Sequence, residues 1–353
     1  MSLRLLVLTT LLTTTAYAAP TTRWEGFSNP NIFDATYDRN FNALPLEGGM
    51  DISTKGWSAP YWANYKGGIN LRWNTETPIG FNYASPSFEQ VQKMSLDDLA
   101  RLSPSEKWDI YTGNFDYPLK GYVANRVKPE ALAWEGICHG WAPAAIHHNE
   151  PLPKVLVSVD GIEVPFGSSD IKALLSFYYA RFHKDVKSSQ MGKRCQFGDR
   201  LLGTKYCNQD LNAGAFHIVI GNQLGIRKKG FQADVMRTKE VWNQPIVGFK
   251  STIVDANLPV SARSAKTAVK EMRIQTDLMY IDEVDNITWE PVKGTKEQFN
   301  EIKKYVYRIE LNSRNEIVGG TWESKERPDF IWRKDPVNQF KGILTGLEVL
   351  LND

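Results

Sequence analysis

The sequence predicts an α+β fold in which a helix carrying a lone cysteine packs on an antiparallel sheet. Three observations predict it: capping-box serines ahead of short helical stretches, a small-residue segment after Cys138 that reads as a helix start, and strand-like runs separated by turn residues in the second half. With 353 residues and 42% hydrophobic side chains, the chain can bury a real core as one large domain or two ordinary ones. A formal charge of +2 with no long Lys/Arg run leaves no electrostatic footprint for nucleic acid.

Residues 1–18 read as a signal peptide: Arg4, a short apolar stretch and the small-x-small pattern Ala16-Tyr17-Ala18. No later stretch reaches the roughly 18 apolar residues of a membrane helix. Secretion to the periplasm or exterior follows, with no membrane association once the leader is removed. Residues 19–100 form an N-terminal segment, dense in Asn, Gly, Pro and aromatics before about residue 85, and a possible pro-region; residues 101–353 form the catalytic unit.

Ser95-Leu-Asp-Asp98 and Ser103-Pro-Ser-Glu106 match the capping box, so two short helices are expected. Asp160-Gly161 between alternating stretches predicts a hairpin, and Ile171 to His183 a helix capped by Ser169 or Asp170. Residues 215–220, 231–236 and 247–254 read as strands, residues 305–311 and 317–322 as a second hairpin, and residues 340–351 as a closing amphipathic helix.

Three cysteines in an oxidising compartment leave one to explain. Cys195 and Cys207 are close enough to pair as a disulfide, which makes Cys138 the free thiol. Gly136 allows a tight approach to a segment whose Ala-rich composition suits a helix, and a thiol at a helix N-terminus feels the positive dipole end. A thiol nucleophile also needs a base and a group that orients it. Of five histidines, His217 is the one in a strand-like run, and Asp234 on the next strand is the orienting carboxylate, with Asn222 and Asp210 as alternatives. The order Cys138, His217, Asp234 is that of papain-type and transglutaminase-type cores, with the His and Asp on the sheet.

The segment from Trp134 to Ala145 resembles the active-site region of the oomycete cell-wall transglutaminase elicitor family, which also has marine bacterial members. Val241-Trp-Asn-Gln-Pro-Ile-Val-Gly-Phe-Lys250 is similar to the surface peptide by which plants perceive those enzymes, and residues 103–113, 320–323 and 328–332 share the likeness. The resemblance implies an acyltransferase that joins a glutamine γ-carboxamide to a primary amine, with Cys138 as nucleophile and His217 and Asp234 as partners. No cofactor is needed for that chemistry, although the resemblance implies calcium dependence; the loose acidic cluster Asp282-Glu-Val-Asp285 is not an EF-hand loop. Trp134, Trp141 and Trp242 are candidates for an aromatic wall that keeps water from the thioester. Protein substrates with exposed Gln and Lys, or small amines, are the implied partners. The same residues would serve a cysteine peptidase or amidase, and an elicitor-like binding protein would keep the fold without catalysis.

Overall fold

The computed structural model describes residues 22–24, 26–73, 83–183, 189–194, 211–238 and 240–352. The expected leader, the expected Cys195–Cys207 pair and Asp210 lie outside the described residues.

The segment before residue 100 is built into the fold. Strand β1 (Glu47–Gly49) pairs antiparallel with a long strand far along the chain. The three short helices that follow are serine-capped: α1 (Phe88–Val91), α2 (Leu96–Ala100) and α3 (Pro104–Tyr111). In each, the hydroxyl of Ser87, Ser95 or Ser103 accepts the N–H three residues on, and Gln90, Asp98 or Glu106 answers the serine's own N–H. Helix α4 (Pro118–Ala124) leads to α5 (Cys138–His147), so the cysteine opens a helix as expected.

Strands β2 (Lys154–Val157) and β3 (Glu163–Phe166) form the predicted hairpin, with Gly161 at φ +77° in its loop. Helix α6 (Ser168–Arg181) is capped by Gly167, two or three residues before the expected cap, because Asp170 reaches back to accept the Gly167 N–H at 2.7 Å. It packs along α5, where a Cβ on Gly140 would collide with the carbonyl oxygen of Ser176.

The main sheet is antiparallel throughout. Its strands are β4 (Ser189–Gly192), β5 (Phe231–Asp234), β6 (Asn243–Leu258), β7 (Lys270–Ile281), β8 (Asn300–Leu311), β9 (Ile317–Trp322) and β10 (Phe330–Arg333). Their order is β4-β10-β5-β6-β7-β8-β9, with β1 continuing the β5 side of β6.

Two expectations fail. Residues 215–220 are not a strand but the end of a helix, α7 (Ala213–Ile220), which runs on as a π-helical turn, Gly221–Ile226. All eight residues of α7 are buried, so apolar residues cover every face and no helical period shows, while Asn212 caps it by accepting the N–H groups of Gly214 and Ala215. Residues 340–351 form two 3-10 turns instead of one amphipathic helix, Gly342–Leu344 and Leu347–Leu350, broken by left-handed Gly342 and Gly346.

The sheet separates two apolar cores. One holds α3 to α6 with Trp57, Trp62, Cys138, Trp141, Val247 and Ile281. The other holds α7 with Phe41, Phe231, Ala233, Ile246, Tyr305 and Tyr307. Side chains alternate along a strand, so Ile246 and Val247 face different cores, and Phe231 and Ala233 leave Gln232 and Asp234 on the opposite face of β5.

Candidate functional site

Cys138 is the first residue of α5 and 5% exposed. The turn before it is pinned by a bond from the Ile137 N–H to the Tyr61 carbonyl (2.8 Å), and a Cβ on Gly136 would collide with that same carbonyl oxygen. At the first helical position the backbone N–H of Cys138 precedes the intrahelical ladder and is free to meet a ligand.

The sulfur has two polar neighbours. Its S–H is 3.8 Å from the Val241 carbonyl oxygen, and the side-chain amide of Asn243 donates to Sγ from 3.6 Å. Trp332 fixes that amide: its indole N–H donates to Asn243 Oδ1 at 2.8 Å, which turns the NH2 group toward the sulfur. Burial pushes the Cys138 thiol up from its usual value; the Asn243 and His139 N–H groups oppose this, and the charge of Glu283 adds to it. Desolvation thus works against the expected activation by the helix dipole.

His217 is not its partner. The imidazole sits on α7 in the second core, stacked on Phe41 with ring centres 5.6 Å apart, and its Nδ1 is 2.8 Å from the Tyr307 hydroxyl. That hydroxyl continues through Thr276 to Ser251 in a chain of 2.7 Å bonds. Nε2 has no partner among the described residues, and burial pushes the ring's pKa down to about 4. The strand reading put His217 on the sheet; as a helical residue it lies across the sheet from Cys138. The other histidines are placed elsewhere too. His147 is bonded to the Lys334 carbonyl, His148 to the Tyr179 hydroxyl and His183 to the Asp335 carbonyl, while burial, with Arg181 and Lys334 nearby, lowers His139 to about 4. Among the described residues, no histidine side chain hydrogen-bonds the sulfur.

Asp234 does lie on the cysteine's face, directly opposite Asn243 in the β5–β6 register. Neither carboxylate oxygen has a hydrogen-bond partner among the described residues, although the Met236 and Trp242 N–H groups are close enough to act on it. Burial, with Asp329 adding to it, pushes its pKa up to about 8. The alternative Asn222 belongs to the π-helical turn, where it bonds the Asp38 and Ile218 carbonyls.

Of the three tryptophans, Trp141 is completely buried with its N–H on the Trp57 carbonyl (3.2 Å), which makes it a core residue. Trp242 is half-buried and packs edge-on against Tyr61, ring centres 5.1 Å apart. Trp134 is half-buried beneath the Arg194 guanidinium, 5.9 Å from its ring centre.

In the acidic cluster Asp282 and Glu283 are half-buried and Asp285 is exposed. Gln244 donates to both Asp282 (2.9 Å) and Glu283 (2.6 Å), and burial beside Asp282 pushes Glu283 up to about 8. No three His, Cys, Asp or Glu side chains come together as metal ligands among the described residues. No helix among them is long and apolar enough to cross a membrane.

Asn243 and Trp332 are the functional candidates that residue-type reasoning passes over. Both fall in segments that carry the family likeness, residues 241–250 and 328–332, which is the signal that could have found them. Nothing in the sequence marks Tyr61.

This architecture is shared with the crystal structure of the GP42 transglutaminase from Phytophthora sojae. The TM-score is 0.65 over 90% of this chain and 94% of that one, at 23% sequence identity, a likeness of fold. None of the curated proteins matches the chain. A family model described as "Transglutaminase elicitor" matches residues 129–341, more than half of the chain and the whole stretch from the approach to Cys138 to beyond Trp332. The chain thus belongs to the transglutaminase elicitor family.

Proposed function

We propose that the protein is a secreted protein-glutamine γ-glutamyltransferase whose nucleophile is Cys138. The observation that carries this reading is the sulfur at the start of α5 with the Asn243 amide held beside it by Trp332. A thiol at a helix N-terminus next to a fixed amide donor is suited to acyl transfer, because both the backbone N–H and the amide can receive the oxygen that becomes negative in the tetrahedral intermediate.

In the first step the S–H proton leaves as sulfur attacks the glutamine carboxamide carbon. The C–N bond breaks, ammonia departs with that proton, and a thioester remains. In the second step a primary amine attacks the thioester, the isopeptide bond forms and the thiol is restored. Carboxyl groups take the role that the sequence assigns to an imidazole. Glu283, whose electrostatic effect reaches the sulfur, and Asp234 on the same face are the candidates, both pushed up to about 8 chiefly by burial. Trp242, which packs on Tyr61 and lies between Val241 and Asn243, is the candidate to favour the amine over water.

Incorporation of a fluorescent primary amine into casein, beside a gelatin digestion, tests this. The intact chain labels casein, and Cys138→Ala abolishes labelling while the fold persists by circular dichroism. Digestion without labelling points to a peptidase. One observation favours a second reading, an elicitor-like binding protein without catalysis: no imidazole is bonded to the sulfur. Absence of both activities in the folded protein would establish it.

A further inference from the structure

A cavity of about 380 Å³ opens at the other end of α5, against Ile146 and His147. Ten residues of helix place it about 15 Å from the sulfur, so it is a separate feature from the thiol site. Three distant segments bring five cationic side chains to its wall: Lys55, Lys228 with Lys229, and Arg333 with Lys334. Only two acidic side chains, Asp51 and Asp335, face them there. His147 adds no charge at neutral pH, since burial lowers it to about 4.

The charges are unevenly matched. Arg333 reaches the Phe33 carbonyl and stands 3.9 Å from Asp335, and the Lys334 ammonium donates to the Tyr179 carbonyl at 2.5 Å. Lys228 and Lys229 have no ion pair or side-chain hydrogen bond among the described residues, and Lys55 has only the more distant influence of Asp51. Like charges gathered on one concave wall repel unless an anion joins them.

The lysine pair is also held in place. Lys228 has φ +55°, a left-handed conformation uncommon for a residue with a side chain, and such conformations gather at ligand clamps. The turn is secured on both sides by the Arg227 N–H on the Asn222 carbonyl and the Lys229 N–H on the Gln223 carbonyl, each at 2.9 Å. Met50, Ile146 and Pro336 supply an apolar wall beside the cations, suited to the carbon body of an ester.

We infer that this cavity is a binding site for a tetrahedral oxyanion ester, a phosphate or sulfate group carried on a small organic molecule, taken up by Lys55, Lys228 and Lys229. Three ammonium groups suit a multiply charged, roughly spherical group better than the planar fork of a lone carboxylate. The site stands independently of acyl transfer at Cys138.

Titration calorimetry on the full chain at about 0.15 M ionic strength tests it, with pyrophosphate and a heparin-derived tetrasaccharide as the phosphate and sulfate probes. The expected result is saturable one-to-one binding of at least one probe, and the tighter of the two identifies the source of the group. The double variant Lys228→Gln/Lys229→Gln weakens it roughly tenfold or more, whereas Lys303→Gln/Lys304→Gln, which removes the same charge from β8, leaves it within about twofold. Lys55→Gln gives a second, single-charge loss should the double variant misfold. No saturable binding of either probe, or equal weakening by the two double variants, overturns the proposal.

Discussion

Cys138 and His217 are enclosed on opposite faces of one sheet, in surroundings that differ: an aimed amide donor on one face, a closed hydroxyl network on the other. The sulfur's amide neighbour is itself clamped by an indole, so a donor stays aimed at the place where negative charge would form. The imidazole's neighbour is a phenol at the end of a hydroxyl chain, and burial lowers the histidine's pKa. Buried polar groups that complete such a network stiffen a core, whereas a fixed donor beside a lone thiol does little for the fold and much for a transition state. The presence of cysteine, histidine and aspartate in the right order does not make a triad when the sheet lies between two of them.

The sharpest way to break this comparison is to remove the aimed donor. Asn243→Ala is expected to lower kcat/KM for amine incorporation by about 10²-fold or more while the melting temperature stays near that of the parent. An equal loss of stability and activity would put Asn243 in the structural class with His217.

On the other face the effect is on acid stability. The folded pKa of His217 is lowered to about 4 from 6.5, so the unfolded chain takes the proton first. Stability is therefore fully present above about pH 6.5 and falls as pH drops toward 4, by about 3 kcal/mol for a fully buried ring. His217→Phe, which keeps the stack on Phe41, is expected to remove that part of the acid decline and to leave amine incorporation within about threefold. Denaturant melts at pH 7 and pH 4.5, with the casein assay on the same samples, give both readouts. Loss of activity in the folded variant would restore His217 to the mechanism.

The smallest expected change comes from the clamp behind the donor. Trp332→Phe keeps a ring but loses the N–H that orients Asn243, and a loss of about tenfold in kcat with little change in KM is expected. A change in KM alone would mean that Trp332 touches substrate instead of orienting the amide.

Much of this was legible in the residues. The serine caps, the Asp160-Gly161 turn and the start of a helix at Cys138 are local signals, and each depends on a few adjacent residues. Residues 213–220 were not, because burial on every side removes the polar face that distinguishes a helix from a strand, and that one reversal carried His217 to the wrong face of the sheet. Strand β7 does show in the residues: Arg273, Gln275 and Asp277 alternate with its buried residues at the period of a half-buried strand, a signal that a search for continuous apolar runs passes over. The contacts of Asn243 with Cys138 and Trp332 join residues 105 and 89 positions apart, a relation that only folding creates.

Strand β6 takes its partners on one side from residues 47–49 and residues 231–234, and the indole behind Asn243 comes from residue 332. The indole is made 89 residues after Asn243, so a growing polypeptide carries the thiol before the clamp exists. Such a dependence on late, distant pairings slows folding.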